Sequence, residues 1–231
     1  MSDNIYHMAL QNVVRHERRD MCVILINGAD ALDFVQRIST NDVRSIDDNV
    51  YATTIFCNDK GRIVDVVIVL RRGDDLYLVH TASQRDELVR HLRTYIVMDD
   101  VRLRDVSQNF RMIELTGPLA AQVCSSAFHQ NILPFPPTRV YSLDADSSVL
   151  ALPLPSGAEQ SFLIMIDRER LHLQSQQCIE HLESCEELDN HTAEVLRIEQ
   201  GRGAMGTELG REHNPLEANL LHLVNFKKGL M

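Results

Sequence analysis

Glu199 stands at the end of a predicted helix that runs from Thr192, its candidate N-cap, and carries Arg197 two positions earlier. A carboxylate accepts two parallel hydrogen bonds from any edge that offers paired N–H groups, as it does from a guanidinium. Residues two apart on a helix point in different directions, so Arg197 and Glu199 cannot both face one ligand directly. An acidic side chain at a helix C-terminus also meets the negative end of the macrodipole. A solvated surface carboxylate is therefore the plain reading of Glu199, and a ligand contact is the sharper one. Glu217 and Asn219, in Asn214-Pro215-Leu216-Glu217-Ala218-Asn219-Leu220, are further candidates that read equally as the shapers of a loop or helix start. Thr40, Asn41 and Asp42 follow an apolar helix, and Asn and Asp are turn formers whatever the function. Lys228 adds a cation near the end of the sequence.

Asp65 lies in the apolar run Ile63 to Leu70. A carboxylate there is either a hydrogen-bonded strand residue or an acid–base group. Val66 follows it, and successive strand residues face opposite sides. Only the face that Asp65 takes therefore carries a carboxylate at this level of the strand. The ten histidines show no H-E-x-x-H or comparable metal spacing. The five cysteines (22, 57, 124, 178, 185) form no C-x-x-C pair and read as reduced thiols. Gly201 to Gly206 is formally G-x-G-x-x-G, but it follows a helix and no strand, so the dinucleotide reading fails.

The elements that must hold these residues repeat. Cys22–Ile26, a turn at Asn27-Gly28 and a helix through Ala31, Phe34, Val35 and Ile38 match a second set 89 residues on. That set is Met112–Leu115, Thr116-Gly117-Pro118, then a helix through Leu119, Ala120, Val123, Cys124 and Ala127. Pro118 suits the first helical position. Ile63–Leu70 and Leu76–His80 flank Arg72-Gly73-Asp74-Asp75 and predict a hairpin. A helix follows, with Ser83 as N-cap and Leu88, Val89, Leu92 and Tyr95 inward. In the second half, Val149–Leu154 and Ser161–Ile166 flank Pro155-Ser156-Gly157, and a helix follows from about Arg168 to Glu183. Leu133 to Pro137 reads as a Pro-rich connector within that half. Each half is strand–helix–strand–strand–helix, so the expected fold is α+β, two ferredoxin-like (split β-α-β) lobes. The lobes cover about 20–105 and 108–190 of one domain, with a closing segment over 191–231. A groove between similar lobes is a natural ligand site.

The net charge of −10 argues against broad nucleic-acid or anionic-membrane binding. No apolar run is long enough for a signal peptide or membrane span at the N-terminus, and Asp3, Glu17 and Asp20 argue against a targeting leader. A cytoplasmic protein is the expectation. Trp is absent and aromatics make up 5% of the chain, so aliphatic side chains must fill the core.

Arg197-Ile198-Glu199, the Gly-rich turn after it, Pro215 to Leu220 and Phe226-Lys227-Lys228-Gly229 resemble, in that order, the tail of the folate-binding domain in the glycine-cleavage T-protein family. The ending is similar to one branch, the folate-binding iron–sulfur maintenance proteins (YgfZ-type). Asn27-Gly28-Ala29-Asp30-Ala31, Thr40 to Val43, the Lys60-Gly61-Arg62 turn and Thr116 to Ala120 extend the resemblance over most of the chain. It implies a folate-binding domain of the aminomethyltransferase type, with tetrahydrofolate or a derivative as cofactor and Glu199 on the pterin edge. Thr40, Asn41 and Asp42 would line the site beside Arg197, Glu217, Asn219 and Lys228. The function implied first is tetrahydrofolate binding in support of iron–sulfur cluster assembly or repair, with the assembly proteins as partners and an accessory role rather than aminomethyl transfer. A folate-dependent one-carbon transferase using Asp65 as acid–base group is the rival. A truncated, non-binding paralogue acting as an interaction module is the third reading. Leu230 and Met231 stand where that branch has Cys and Tyr, so chemistry at that thiol is expected to be absent, as is the family's C-terminal barrel.

Overall fold

The structure, a computed structural model, describes residues 2–134, 136, 138–143, 146–155 and 160–228. In chain order the first elements are α1 (Ser2–Gln11), β1 (Val14–Glu17), β2 (Met21–Asn27) and α2 (Ala31–Ile38). Next come β3 (Ala52–Cys57), β4 (Ile63–Arg72), β5 (Asp75–Thr81), α3 (Arg85–Tyr95) and β6 (Arg102–Asp105). The second half holds β7 (Phe110–Thr116), α4 (Ala120–Phe128), β8 (Tyr141–Ser142), β9 (Val149–Leu154) and β10 (Ser161–Asp167). α5 (Leu173–Glu183), β11 (Glu186–Glu187) and α6 (Asn190–Glu199) complete it. The chain divides into two compact units, one of residues 1–19 with 108–202 and one of 20–107 with 203–231.

The unit holding residues 20–107 has a five-stranded sheet of order β3-β4-β5-β2-β6. Its strands are rich in Val, Ile and Leu and alternate between two apolar faces, which suits a sheet covered on both sides. Ile24, Ile26, Val67, Val69, Leu76 and Leu78 meet α2 and α3 through Phe34, Leu88 and Leu92. On the opposite face, Ile55, Ile63 and Val66 pack on Leu209 and Leu223 of the closing segment. The order β6-β2-β5-β4 is the ferredoxin-like arrangement, with β3 added at its edge. Gly73 occupies the first position of the two-residue turn between Arg72 and Asp75 at φ +59°, where a side chain would strain the backbone.

The other unit has a six-stranded sheet of order β11-β1-β7-β10-β9-β8. Ile113, Leu115, Phe162 and Ile164 pack on α4 and α5 through Cys124, Phe128, Ile179 and Leu182. The α+β class and split β-α-β plan hold in both units. One departure is topological. The place beside the first strand, taken by β6 in one sheet, is taken in the other by the N-terminal β1, which precedes its partner β7 in sequence.

The repeat is visible in hydrogen bonds. Gly28 (φ +123°) and Gly117 (φ +133°) each turn a first strand into its helix. A Cβ on Gly28 would lie 2.0 Å from the Asp100 carbonyl oxygen, and one on Gly117 2.2 Å from that of Asn12. Those carbonyls accept the N–H groups of Asp30 and Leu119 at 3.3 and 3.2 Å. Asp100 leads into β6 and Asn12 into β1, so one device seats the neighbouring strand in both halves.

Several helix starts differ from the sequence reading. Ser83 lies in a 3-10 turn, Ala82–Gln84, and α3 begins at Arg85. Its Tyr95 is 38% exposed rather than inward, with its ring edge-on to His91 at 5.0 Å. α5 begins at Leu173, not Arg168; β10 continues to Asp167, whose carboxylate accepts the Glu169 N–H in a tight turn. Asp189, not Thr192, caps α6; its carboxylate accepts both the backbone N–H and the hydroxyl of Thr192. α4 begins at Ala120, two residues after Pro118. Part of the expected turn at Pro155-Ser156-Gly157 and of the Pro-rich connector, Phe135 and Pro137, lies outside the described residues.

Gly28→Ala and Gly117→Ala should each cost about 3 kcal/mol or more, since a disfavoured φ adds to a backbone clash. Gly61→Ala, at φ +68° with nothing within 4 Å, should cost about 1 kcal/mol. Urea-unfolding midpoints check the ranking; an equal cost at all three positions would remove the role given to the two carbonyls.

Candidate functional site

In the unit of residues 1–19 and 108–202, Glu199 ends α6 and is exposed. The Tyr6 hydroxyl of α1 donates to its carboxylate, 2.9 Å to Oε2 and 3.2 Å to Oε1. A carboxylate has about four lone-pair sites, so one shared phenol hydrogen fixes its orientation and leaves both oxygens able to accept more. Tyr6 and Ala9 of α1 pack with Leu188 and Leu196, which holds the phenol against α6. Arg197 points elsewhere, as residues two apart on a helix must. It grips both carboxylate oxygens of Glu194, at 2.6 and 2.8 Å, and also donates to the Arg202 carbonyl. The Arg202 N–H returns to the Arg197 carbonyl at 3.1 Å, with Gly201 at φ +67°, a glycine-closed helix end. Arg197 thus builds the support beneath Glu199, and its guanidinium is already committed.

Composition gave no sign of Glu114. It sits mid-strand in β7, 4% exposed, between Arg18 at 2.5 Å and Arg202 at 2.6 Å. Burial alone would raise its carboxyl. The Arg202 and Arg18 guanidiniums reverse that and hold it below the ordinary carboxylate range. Arg202 follows the α6 end directly, so this triad anchors the chain just beyond Glu199.

In the unit of residues 20–107 and 203–231, the structure brings Thr40, Asn41 and Lys228 together. The buried Thr40 hydroxyl donates to the Leu223 carbonyl at 2.8 Å and accepts the Ile55 N–H at 3.1 Å. Asn41 donates to the Thr53 carbonyl and accepts the Asp42 N–H, at 2.8 and 2.9 Å. Asp42 closes a local turn by accepting the Arg44 N–H at 3.0 Å. The Lys228 ammonium donates to the carbonyls of Ser39 and Asn41, the latter at 2.8 Å. Burial drives its pKa down to about 8, against the pull of Asp42. These residues staple the closing segment to the turn, and the polar atoms of Thr40 and Asn41 are largely spent in doing so.

Glu217 accepts the Asn214 N–H while Asn214 accepts the Glu217 N–H, both at 2.9 Å, a reciprocal capping pair. Arg62 adds an ion pair to it at 2.7 Å. Asn219 takes the left-handed conformation at φ +57°, which Asn tolerates better than most residues. Both therefore shape the 214–220 turn. Gly229 and Leu230 of the signature lie outside the described residues.

Asp65 is wholly buried on the helix-facing side of its sheet, opposite Phe56 in register. Its carboxylate accepts the Val66 N–H at 2.8 Å and meets His80 Nδ1 at 3.0 Å. Burial raises its pKa, opposed by the His80 bond. Val66 faces the other way, toward Leu209 and Leu223. Within this unit, acid–base use of Asp65 would require the core to open. The half-buried Cys57 thiol is likewise pushed up, to about 11, so it holds its proton at neutral pH.

These units and their twin glycine turns define an α+β fold. It superposes on the crystal structure of the glycine cleavage system aminomethyltransferase T from Bartonella henselae with a TM-score of 0.81, at 17% identity, covering 97% of this chain and 61% of that one. The chain belongs to the family of the GCVT N-terminal domain, whose model matches residues 6–228. The mitochondrial aminomethyltransferase of Pisum sativum is 27% identical over 208 residues, 87% of this chain and 51% of that protein. The aminomethyltransferase of Caldanaerobacter subterraneus subsp. tengcongensis is 25% identical over 211 residues, 89% and 56% respectively. The chain thus spans about half the length of these curated relatives. Among the described residues, no helix is long and apolar enough to cross a membrane.

Glu114→Gln should destabilise the protein by about 3 kcal/mol at neutral pH by leaving two guanidiniums without their counter-charge. The Glu114 carboxyl is lowered on folding, so its stabilisation is present above the unfolded pKa of about 4.3 and lost as pH falls through the folded value. The gap between wild type and variant should therefore close on acidification, as urea titrations across the acid range will register. The Lys228 amine should acylate with a midpoint near pH 8, below the ~10.4 of a lysine in a model peptide. Mass spectrometry of the labelled protein resolves this site, and a midpoint at the model-peptide value would contradict the buried setting of Lys228.

Proposed function

We propose that this chain is the tetrahydrofolate-binding part of an aminomethyltransferase-type one-carbon transferase, with Glu199 as the residue that grips the pterin. Membership of the GCVT N-terminal domain family and the names of the relatives support the class. The observation that carries the site is an exposed carboxylate at a locked helix end, oriented by the Tyr6 phenol. A carboxylate at that end is opposed by the helix dipole by about 0.3–1 kcal/mol. Its neighbouring guanidinium is turned to Glu194 instead of neutralising it. Such a group is poised to accept the paired N–H and amino hydrogens on the edge of a pterin ring. In the same unit, Arg197 supports the backbone that presents Glu199. In the other unit, Lys228 and the closing segment hold the Thr40–Asp42 turn rigid, and Glu217 and Asn219 shape the 214–220 turn.

One observation favours a second reading, folate recognition without transfer, as in the iron–sulfur maintenance branch. Asp65 is sealed in the core and its neighbour Val66 is apolar, so this strand offers no accessible carboxylate to move a proton. The Phe226-Lys227-Lys228 ending supports that branch by resemblance.

Titration calorimetry with tetrahydrofolate should give binding that Glu199→Gln weakens by about tenfold or more, the worth of a charge-assisted pair. Tyr6→Phe should weaken it by about fivefold, through loss of orientation alone. Equal heats from wild type and Glu199→Gln would remove the assignment. Formation of methylene-tetrahydrofolate from an aminomethyl donor decides between the readings: turnover supports transfer, and binding without turnover supports recognition.

A further inference from the structure

A surface groove of about 780 Å3 runs between α3 and β6 in the unit of residues 20–107 and 203–231. It lies at the free edge of the five-stranded sheet, where β6 pairs with β2 on one side and, among the described residues, with no strand on the other. Asp86, Val89, Arg90 and Arg93 recur at helical spacing on α3 and form the stripe that lines it. This stripe is distinct from Leu88 and Leu92, which enter the core. Arg85 lies between two carboxylates, Asp86 at 3.2 Å and Asp105 at 3.3 Å. Arg90 and Arg93 have no carboxylate partner among the described residues, although the chain carries a net charge of −10.

The backbone of β6 is turned to the same place. Val106 N–H donates to the Val23 carbonyl at 3.0 Å, which fixes the phase of the antiparallel ladder. Pairs alternate in such a ladder, so Arg102 and Arg104 direct their main chain toward β2. Leu103 and Asp105 direct theirs outward. The α3–β6 connection, which begins just after the groove residue Thr94, carries Val97 and Met98, 81% and 94% exposed.

We infer that this groove receives an extended acidic segment of a partner protein, which adds to β6 as a further strand. Main-chain bonds to Leu103 and Asp105 supply affinity, and acidic side chains on the helix-facing side meet Arg90 and Arg93. Val89 and the exposed pair Val97 and Met98 give the segment apolar contact. The occupant is acidic because the two unpaired guanidiniums select against basic strands. Arg102 and Arg104 on the edge strand itself also discourage indiscriminate pairing. This surface does not involve Glu199 or Tyr6, and its test contains no folate.

The probe is a fluorescein-labelled eight-residue peptide with Glu at every second position and Thr or Val between, titrated with the full chain and followed by anisotropy. Binding should weaken by about tenfold or more in Arg90→Glu/Arg93→Glu, and measurably in the milder Arg90→Ala/Arg93→Ala. It should fall comparably when alternate peptide nitrogens are methylated, and it should weaken as salt rises. A matched peptide with Lys for Glu should not bind. Thermal melts of both variants establish that they fold. Equal binding of the methylated peptide would mean an anion site without strand addition and overturn the proposal. So would unaltered binding to both folded arginine variants, or sedimentation showing that the edge is covered by a second copy of the chain.

Discussion

Two glycines carry more of this structure than any side chain. At Gly28 and Gly117 a strand turns into a helix, and the carbonyl oxygen of a distant segment fills the space where a Cβ would project. The same oxygen accepts the N–H at the start of the helix. A positive φ and a backbone at van der Waals contact are two constraints that only glycine satisfies together. The contact fixes how the neighbouring strand enters the sheet, β6 in one unit and β1 in the other. Its consequences differ between the units. The Asn12 carbonyl ends α1, and α1 brings Tyr6 to Glu199. The Asp100 carbonyl precedes β6, and β6 forms one wall of the arginine-lined groove. The candidate ligand carboxylate and the candidate docking edge thus both depend on the same local geometry, used twice.

Charge is distributed by a second rule. Most arginines at structured positions are bound to carboxylates: Arg18 and Arg202 to Glu114, Arg111 to Glu17 and Glu183, Arg197 to Glu194. Exposed pairs of this kind contribute little, about 0–1 kcal/mol each. The buried Glu114 triad is the exception, because breaking it strands charge away from water. Against that background, an ionised group left without an ion-pair partner at an ordered position is informative. Glu199 is one, held by a neutral phenol at a helix end that disfavours it. Arg90 and Arg93 are two more, on one stripe beside an unpaired edge.

Much of the fold was legible where local pattern and tertiary demand agree. The two strand–Gly–helix segments could be read from apolar runs and glycine alone. The Arg72–Asp75 hairpin needed only a two-residue turn between β-branched runs. β1 and β6 were not legible, because both are short and charged, as edge and near-edge strands tend to be, and their pairing is set by distant carbonyls. The α6 cap was misplaced because Asp189, three residues upstream, accepts the N–H and hydroxyl of Thr192 and so starts the helix earlier. Among the candidate residues, Glu199, Lys228 and the Thr40 turn stood out through resemblance, and none of them through periodicity. Tyr6 lies 193 residues from its partner, and no local signal could join them. Glu114 lies unremarked inside the run Met112–Leu115, since alternation reveals which face a side chain takes but not whether that face is covered.

The placement of Asp65 decides what a carboxylate on its strand can reach. A strand carboxylate can serve proton transfer only if it reaches solvent or substrate, and its direction is set by strand parity. Asp65 takes the helix-facing parity, opposite Phe56, where burial and His80 absorb it. The other parity at this level belongs to Val66, in contact with the closing segment. A carboxylate at position 66 would enter an apolar cluster and need a partner of its own; valine packs there without one. Packing of the closing segment and proton chemistry from this strand therefore compete for the same face. In this chain packing has taken it, while the carboxylate at the end of α6 stays exposed and is oriented by the Tyr6 hydroxyl.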